Sequence, residues 1–175
     1  MAAWLHDCGK ITTPEHVIDK STRLESLFDR IELVDAHIEI LRRDIIVEQL
    51  KSQLAGSDAE SLQREYNEKI TSLNECQELL RSCNPGSFFV DEKVRKKLVE
   101  IAQVEVRYSD GSVKNLLDES MLYNLSISRG TLSLEERQVI NSHVNASIRM
   151  LKALPFPEHL RQVADIAGGH HERVD

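Results

Sequence analysis

The sequence predicts an all-α fold, and three observations carry that prediction. Apolar residues recur at intervals of three and four over long stretches. Ser-x-x-Glu pairs stand where helices would begin. Alternation of apolar and polar residues is confined to one short segment. The composition agrees: hydrophobic side chains make up 41% of the 175 residues and charged ones 29%, but aromatics only 5%. That mix suits helices and is too apolar for a disordered chain.

The elements follow in order. Residues 2–8 (AAWLHDC) read as a buried helix end, with Trp4 in the core seating His6, closed by Gly9 as a C-terminal glycine. Thr12, Thr13 and Pro14 begin a second helix near Pro14. From there Leu24, Leu27, Ile31, Val34, Ile38, Leu41 and Ile45 alternate by three and four, a heptad seam of about three repeats. Leu50 and Leu54 continue a looser stripe. Ala55-Gly56-Ser57-Asp58 interrupts it, and Ser57 with Glu60 has the spacing of a capping box. The restarted helix carries Leu62, Tyr66, Ile70, Leu73 and Leu80 and stops at Asn84-Pro85-Gly86.

Two long helices around a short turn imply an antiparallel coiled-coil hairpin. Its first helix, of roughly 30 residues, would reach about 45 Å, far enough to project or to pair with a second copy. Residues 91–103 predict another helix. VEVRYSDGSVK alternates around Asp110-Gly111, as a hairpin or a loop would. A short helical segment is expected at 118–124. Ser133 and Glu136 then open a helix over 134–153, and Pro155 and Pro157 separate it from a last helix over 158–171.

Charge and length exclude several functions. The 22 Lys and Arg against 29 Asp and Glu give a formal charge of −7, a poor surface for nucleic acid duplexes. No apolar run reaches the ~18 residues of a membrane span, and charged residues interrupt MAAWLHDCGK too early for a secretory signal. Cys8, Cys76 and Cys83 are odd in number and match neither a disulfide framework nor a zinc knuckle. A reducing, cytoplasmic location is expected. Cys76 and Cys83, seven apart, share a helix face and pack there. Both ends read as interrupted mid-element, as in a domain cut out of a longer protein.

The chemistry-bearing residues sit at the two ends. His6-Asp7 offers an imidazole and a carboxylate, a donor pair suited to Fe, Mn or Zn rather than Ca. His170-His171 offers two more imidazoles, and His143 lies in a helix between them in sequence. Helices that each contribute one or two ligands can build a metal site in a bundle core. Taken singly, each token is commonplace; it is the conjunction, with Lys10 three residues after Asp7, that points to a site. His16 and His37 are expected to face solvent, His159 to lie near a helix start, and Cys8 to be a small buried filler.

That conjunction resembles a known family. HDCGK at 6–10, KITTPEHVIDK at 10–20, GTLSLEERQVINSH at 130–143 and HHERVD at 170–175 are similar to the HD-GYP domain, a branch of the HD phosphohydrolase superfamily. The resemblance covers roughly 1–23 and 126–175. It implies an HD-superfamily helical bundle with metal-dependent cyclic-di-GMP phosphodiesterase activity. His6, Asp7, His143, His170 and His171 then correspond to metal ligands, with Asp7 bridging and His6 and Asp7 catalytic. Lys10 corresponds to the lysine that meets a substrate phosphate. Gly9, Glu172 and Asp175 would support the ligands. The implied cofactors are divalent ions, Fe or Mn, two in the full-length protein, and a sensory or receiver domain would precede this segment.

The sequence departs from the family's pattern as well. Gly-x-Gly-Tyr-Pro does not follow Asp175 here, an upstream ligand and a downstream carboxylate have no match, and Ser147 stands where the family usually has glycine. Weak or no turnover is therefore expected of this segment. The organisation expected is a metal-binding core from 1–23 and 126–175, a helical hairpin arm at 24–84 and a connecting subdomain at 85–125. The alternative is a catalytically incomplete signalling module that dimerises or binds a partner through the arm.

Overall fold

The computed structural model describes residues 1–56 and 58–171. In chain order the helices are α1 (Ala2–Leu5), α2 (Glu15–Ile18), α3 (Ile31–Leu54), α4 (Ala59–Cys83), α5 (Glu92–Ala102), α6 (Glu119–Leu125), α7 (Leu134–Asn141), α8 (His143–Lys152) and α9 (Val163–Gly168). Short 3-10 segments occupy Cys8–Thr12, Glu158–Leu160 and Gly169–His171. Among the described residues the only sheet is the antiparallel pair β1 (Glu105–Arg107) and β2 (Val113–Asn115), with Val106 opposite Lys114. The fold is all-α apart from this hairpin, which forms where the sequence alternates. No helix among the described residues is long and apolar enough to cross a membrane.

The chain divides into two compact units: residues 1–20 with those from Leu132 onward, and residues 21–131. The second unit is built on α3 and α4. Arg81 with Asp35, Arg42 with Asn74 and Lys69 with Glu48 fix their antiparallel register. Its core includes Val34 and Ile38 of α3, Leu73 and Leu80 of α4, Leu98 of α5 and Leu125 of α6. Hairpin and following segment thus share one core within one unit, whereas the sequence reading set 24–84 apart from 85–125. Asp91 and Asp118 cap α5 and α6, accepting from the Val94 and Met121 N–H groups at 2.8 and 2.7 Å.

The seam enters this core, but not from its expected start. α3 begins at Ile31, not Leu24, and spans about 36 Å at 1.5 Å per residue. Side chains hold the segment before it in a non-helical path, and one of them takes the Ile31 N–H that a longer helix would bond internally. Glu25 Oε2 accepts from the Ser21 and Thr22 N–H groups, Asp29 Oδ1 accepts from Ile31 N–H, and Asn84 Oδ1 accepts from Leu24 N–H. Leu24 is still buried, whereas Leu27, the other expected seam residue there, is 90% exposed. Arg23, fully buried, donates to the carbonyls of Cys83, Pro85 (3.2 Å), Phe88 (2.7 Å) and Gly130 (3.1 Å).

In this unit one expectation falls outside the described residues, one is corrected and one holds: the Ser57 cap, the exposure of His37, and the packing of Cys76 and Cys83. The Ser57 capping box falls on a residue outside those described; the observed cap of α4 is Asp58, which accepts from Ser61 N–H at 2.8 Å. His37 does not face solvent. It is buried, its Nδ1 donates to the Leu116 carbonyl at 3.3 Å, and the Tyr108 hydroxyl donates to its Nε2 at 2.5 Å. A carbonyl can only accept, which assigns the proton to Nδ1. Cys83 is buried and Cys76 half-buried against the same core, where burial pushes the Cys83 thiol up to about 11.

The other unit is smaller. Leu151 of α8 and Ala164 and Ala167 of α9 pack with Ala2, Leu5, Cys8 and Phe156. Trp4 is not in this core but 92% exposed, because α1 is a single turn whose inward positions are taken by Ala2 and Leu5. Lys20, its side chain buried, donates to both carboxylate oxygens of Glu136, at 2.8 and 2.9 Å. Glu136 is also the closing residue of the Ser133 capping box, so one carboxylate starts α7 and ties the segment after α2 to it.

The helix expected over 134–153 is two helices. At Ser142 the hydroxyl donates back to the Val139 carbonyl at 2.7 Å, a contact that bends a helix, and α8 restarts at His143. The helix expected over 158–171 is likewise interrupted. Only Val163–Gly168 is α-helical, and the chain tightens to 3-10 from Gly169 to His171. Gly168 lies against α8: a Cβ there would come 2.6 Å from Ile148 Cδ1.

Candidate metal centre

The break at Ser142 makes His143 the first residue of α8, where its ring Nδ1 bonds the Ile140 carbonyl one turn back. His170, in the 3-10 turn after α9, uses its Nδ1 in the same way on the Ala167 carbonyl. His6, after α1, does so on the Ala3 carbonyl at 2.9 Å. All three rings therefore carry a proton on Nδ1 and turn Nε2, the other ring nitrogen, toward the cluster as the potential ligand atom. The three Nε2 atoms converge on one carboxylate. Asp7 Oδ1 lies 3.2 Å from His143 Nε2 and 3.6 Å from His170 Nε2, and Oδ2 lies 3.2 Å from His6 Nε2.

His171 completes the cluster, its ring centroid 4.1 Å from that of His170 and 5.3 Å from that of His143. Desolvation first, and then the imidazoles of His170 and His143, hold His171 below the ordinary imidazole value, which favours the neutral ring. Lys10 Nζ donates to Asp7 Oδ2 at 2.8 Å. That hydrogen bond holds the Asp7 carboxyl below the usual carboxylate range, against an opposing effect of burial.

These residues fit a metal ion on a specific observation. The Nε2 atoms of His143 and His170 are buried and make no hydrogen bond, although a carboxylate oxygen faces both. Lone pairs facing lone pairs in a buried place are costly unless a cation lies between them. The Nδ1 contacts to backbone carbonyls are the outer support by which metal-ligating histidines are commonly aimed. Two groups of donors, His143 with His170 and His171, and His6 with Asp7 and His170, each bring their ligand atoms within 4.8 Å of one another. His170 belongs to both groups, and Asp7 Oδ1 also lies 3.2 Å from His143 Nε2 of the first.

All five expected ligands, with Lys10, are thus brought together from the two ends of the chain. Glu172 and Asp175 lie outside the described residues. Gly9 is present but not in the role expected. It does not cap a helix with a left-handed conformation; it lies inside the 3-10 turn, pressed against α8 so closely that a Cβ would meet the His143 carbonyl oxygen at 2.1 Å. Cys8 is half-buried beside it, packed on the small core. His159 sits in the 3-10 turn after Pro157 and His16 is exposed, neither near the cluster's contacts. Sequence reasoning noted Ser147 as a departure and missed its position. Its hydroxyl lies between the Gly9 N–H and the His6 carbonyl. The signal was its spacing of four from His143, which puts both on one helix face.

Comparison with known proteins bears on one end of the chain. No curated protein and no solved structure matches it. The family model described as HD domain matches residues 120–175, the stretch that supplies His143, His170 and His171.

Proposed function

We propose that this cluster binds divalent metal and hydrolyses a phosphodiester, and that the substrate is the cyclic dinucleotide cyclic-di-GMP. The observation that carries the reading is the convergence of three Nε2 atoms on the Asp7 carboxylate. The HD-domain match supports the hydrolase class, and the resemblance of HDCGK and HHERVD to the HD-GYP pattern supports the substrate. The nitrogen-and-oxygen donor set suits Fe or Mn.

Bound divalent ions would supply charge neutralisation at the phosphate and a more acidic attacking water. The chain's own residues do the rest. Asp7 divides its two oxygens between the His143–His170 side and the His6 side. Lys10 keeps Asp7 ionised, and as a partly exposed ammonium on a flexible stem it can transfer to a phosphate oxygen when substrate arrives. His143, almost wholly buried, meets the cluster from its inner side. The net charge of −7 is no obstacle, since attraction for the substrate is local to the site.

The test is anaerobic loading with Fe(II) or Mn(II), metal content by elemental analysis, and chromatography of cyclic-di-GMP digests. Bound metal is expected, with no more than slow appearance of the linear dinucleotide or GMP, and with His143→Ala losing metal and Asp7→Asn abolishing what turnover there is. No bound metal and no turnover overturns the reading. Bound metal with turnover of mononucleotides alone overturns the choice of substrate.

A further inference from the structure

We infer that Ser147 is a positioning residue for the metal centre: a hydroxyl clamp on α8 that fixes the His6–Asp7 loop at the distance the centre needs. The inference rests on the metal-binding reading above and adds a residue to it.

Ser147 is fully buried, one helical turn after His143 on the same face of α8. Its Oγ accepts from the Gly9 N–H at 2.8 Å and donates to the His6 carbonyl at 2.9 Å. One hydroxyl thus satisfies a buried donor and an acceptor on either side of Asp7. Gly9 makes the approach possible, since a Cβ there would fall 2.5 Å from the Ser147 nitrogen and 2.7 Å from its Oγ as well as against the His143 carbonyl.

The consequence is geometric. His143 is a ligand candidate from α8 itself, whereas His6 and Asp7 come from a loop more than a hundred residues away in sequence. The contacts of Asp7 with His143 depend on where that loop rests. Ser147 and Gly9 set that position through the main chain without touching the metal-facing atoms. Supports of this kind are commonly worth ~10–100-fold in metal affinity.

Ser147→Ala and Ser147→Gly separate this role from ordinary packing. Alanine removes both hydrogen bonds and keeps a methyl in the space. Glycine opens room for a water with two polar partners, the Gly9 N–H and the His6 carbonyl. Glycine is the poorer residue for a helix interior, so apo-protein melting should fall further in Ser147→Gly than in Ser147→Ala. Co(II) affinity, read from the visible absorption of the bound ion, should run the other way. We expect it to fall ~10–100-fold in Ser147→Ala and to be partly restored in Ser147→Gly. Affinity that simply follows melting temperature, or is unchanged in both variants, overturns the inference.

Amide exchange of Gly9 in the metal-free proteins gives a second readout. It should accelerate in Ser147→Ala, and an unchanged rate also overturns the inference. Wild-type protein that binds no Co(II), with Gly9 exchange still accelerated in Ser147→Ala, upholds the clamp and overturns the metal-binding reading instead.

Discussion

Arg23 meets four backbone carbonyls while wholly buried, and it does at residue scale what a core of leucines cannot. Carbonyls at the end of α4 and in the loops beside it have no helix or sheet partner there, and a planar guanidinium can serve several at once. Arg23→Ala should therefore cost ~3 kcal/mol in urea unfolding, from the buried Cys83 carbonyl left without its donor, the part-buried bonds to Phe88 and Gly130 lost, and the space of a wholly buried side chain emptied. Arg23→Lys should recover only part, since an ammonium cannot span the same fork. None of this was legible beforehand, for an arginine before a heptad seam looks like solvated surface. His37 was misread for the same reason. Its burial comes from Tyr108 and Leu116, some seventy residues on, and no local pattern announces them. The ligand residues were legible because their chemistry is unusual in combination. Ser147 and Gly9 were harder, because what matters in them is a close approach of two backbones.

At the scale of elements, periodicity served well inside helices and poorly at their ends. The three-four spacing from Ile31 to Ile45 does enter a core, and α4 follows its expected stripe to Leu80 and Cys83. The ends moved wherever a side chain could bond the backbone: Glu25 and Asp29 delay α3, and Ser142 divides α7 from α8. Between α3 and α4 the Asp35 carboxylate receives Arg81 at 2.6 Å and Gln77 at 2.7 Å. Burial pushes the Asp35 pKa up, but the Arg81 and Gln77 hydrogen bonds outweigh it and hold it below the ordinary value of 3.8. A depressed carboxyl pKa contributes stability that is present above the unfolded value and fades as pH falls through the folded one. Arg81→Ala should thus lower the urea midpoint at pH 7. The difference from wild type should shrink as pH drops below the ordinary carboxylate range, and a gap that persists there would show that the pair acts through packing instead.

At the scale of the whole molecule, the candidate metal centre lies entirely in the unit formed by the chain's two ends, and the long hairpin belongs entirely to the other. The sequence displayed this interruption as a change of periodicity between two stretches rich in histidine. Replacing residues 24–129 by a short Gly-Ser linker should leave Co(II) binding by His6, Asp7, His143 and His170 within ~10-fold of the intact chain. A complete loss, in a shortened protein that retains its helical circular dichroism, would show that the hairpin unit is needed to form the cluster.

The hydrogen bond from Arg23 to the Gly130 carbonyl gives that interruption a thermodynamic meaning. It joins residues next to the two ends of the hairpin unit, Ser21 and Thr131, so the polypeptide enters and leaves that unit through neighbouring doorways. Once the hairpin unit has folded, the two histidine-bearing ends are linked by a bridge of a few residues rather than by a coil of about a hundred. By the logarithmic dependence of ring closure on length, that difference favours their meeting by on the order of 3 kcal/mol. An excursion of this kind can lengthen, shorten or change its sequence while its host keeps the same ligands in reach.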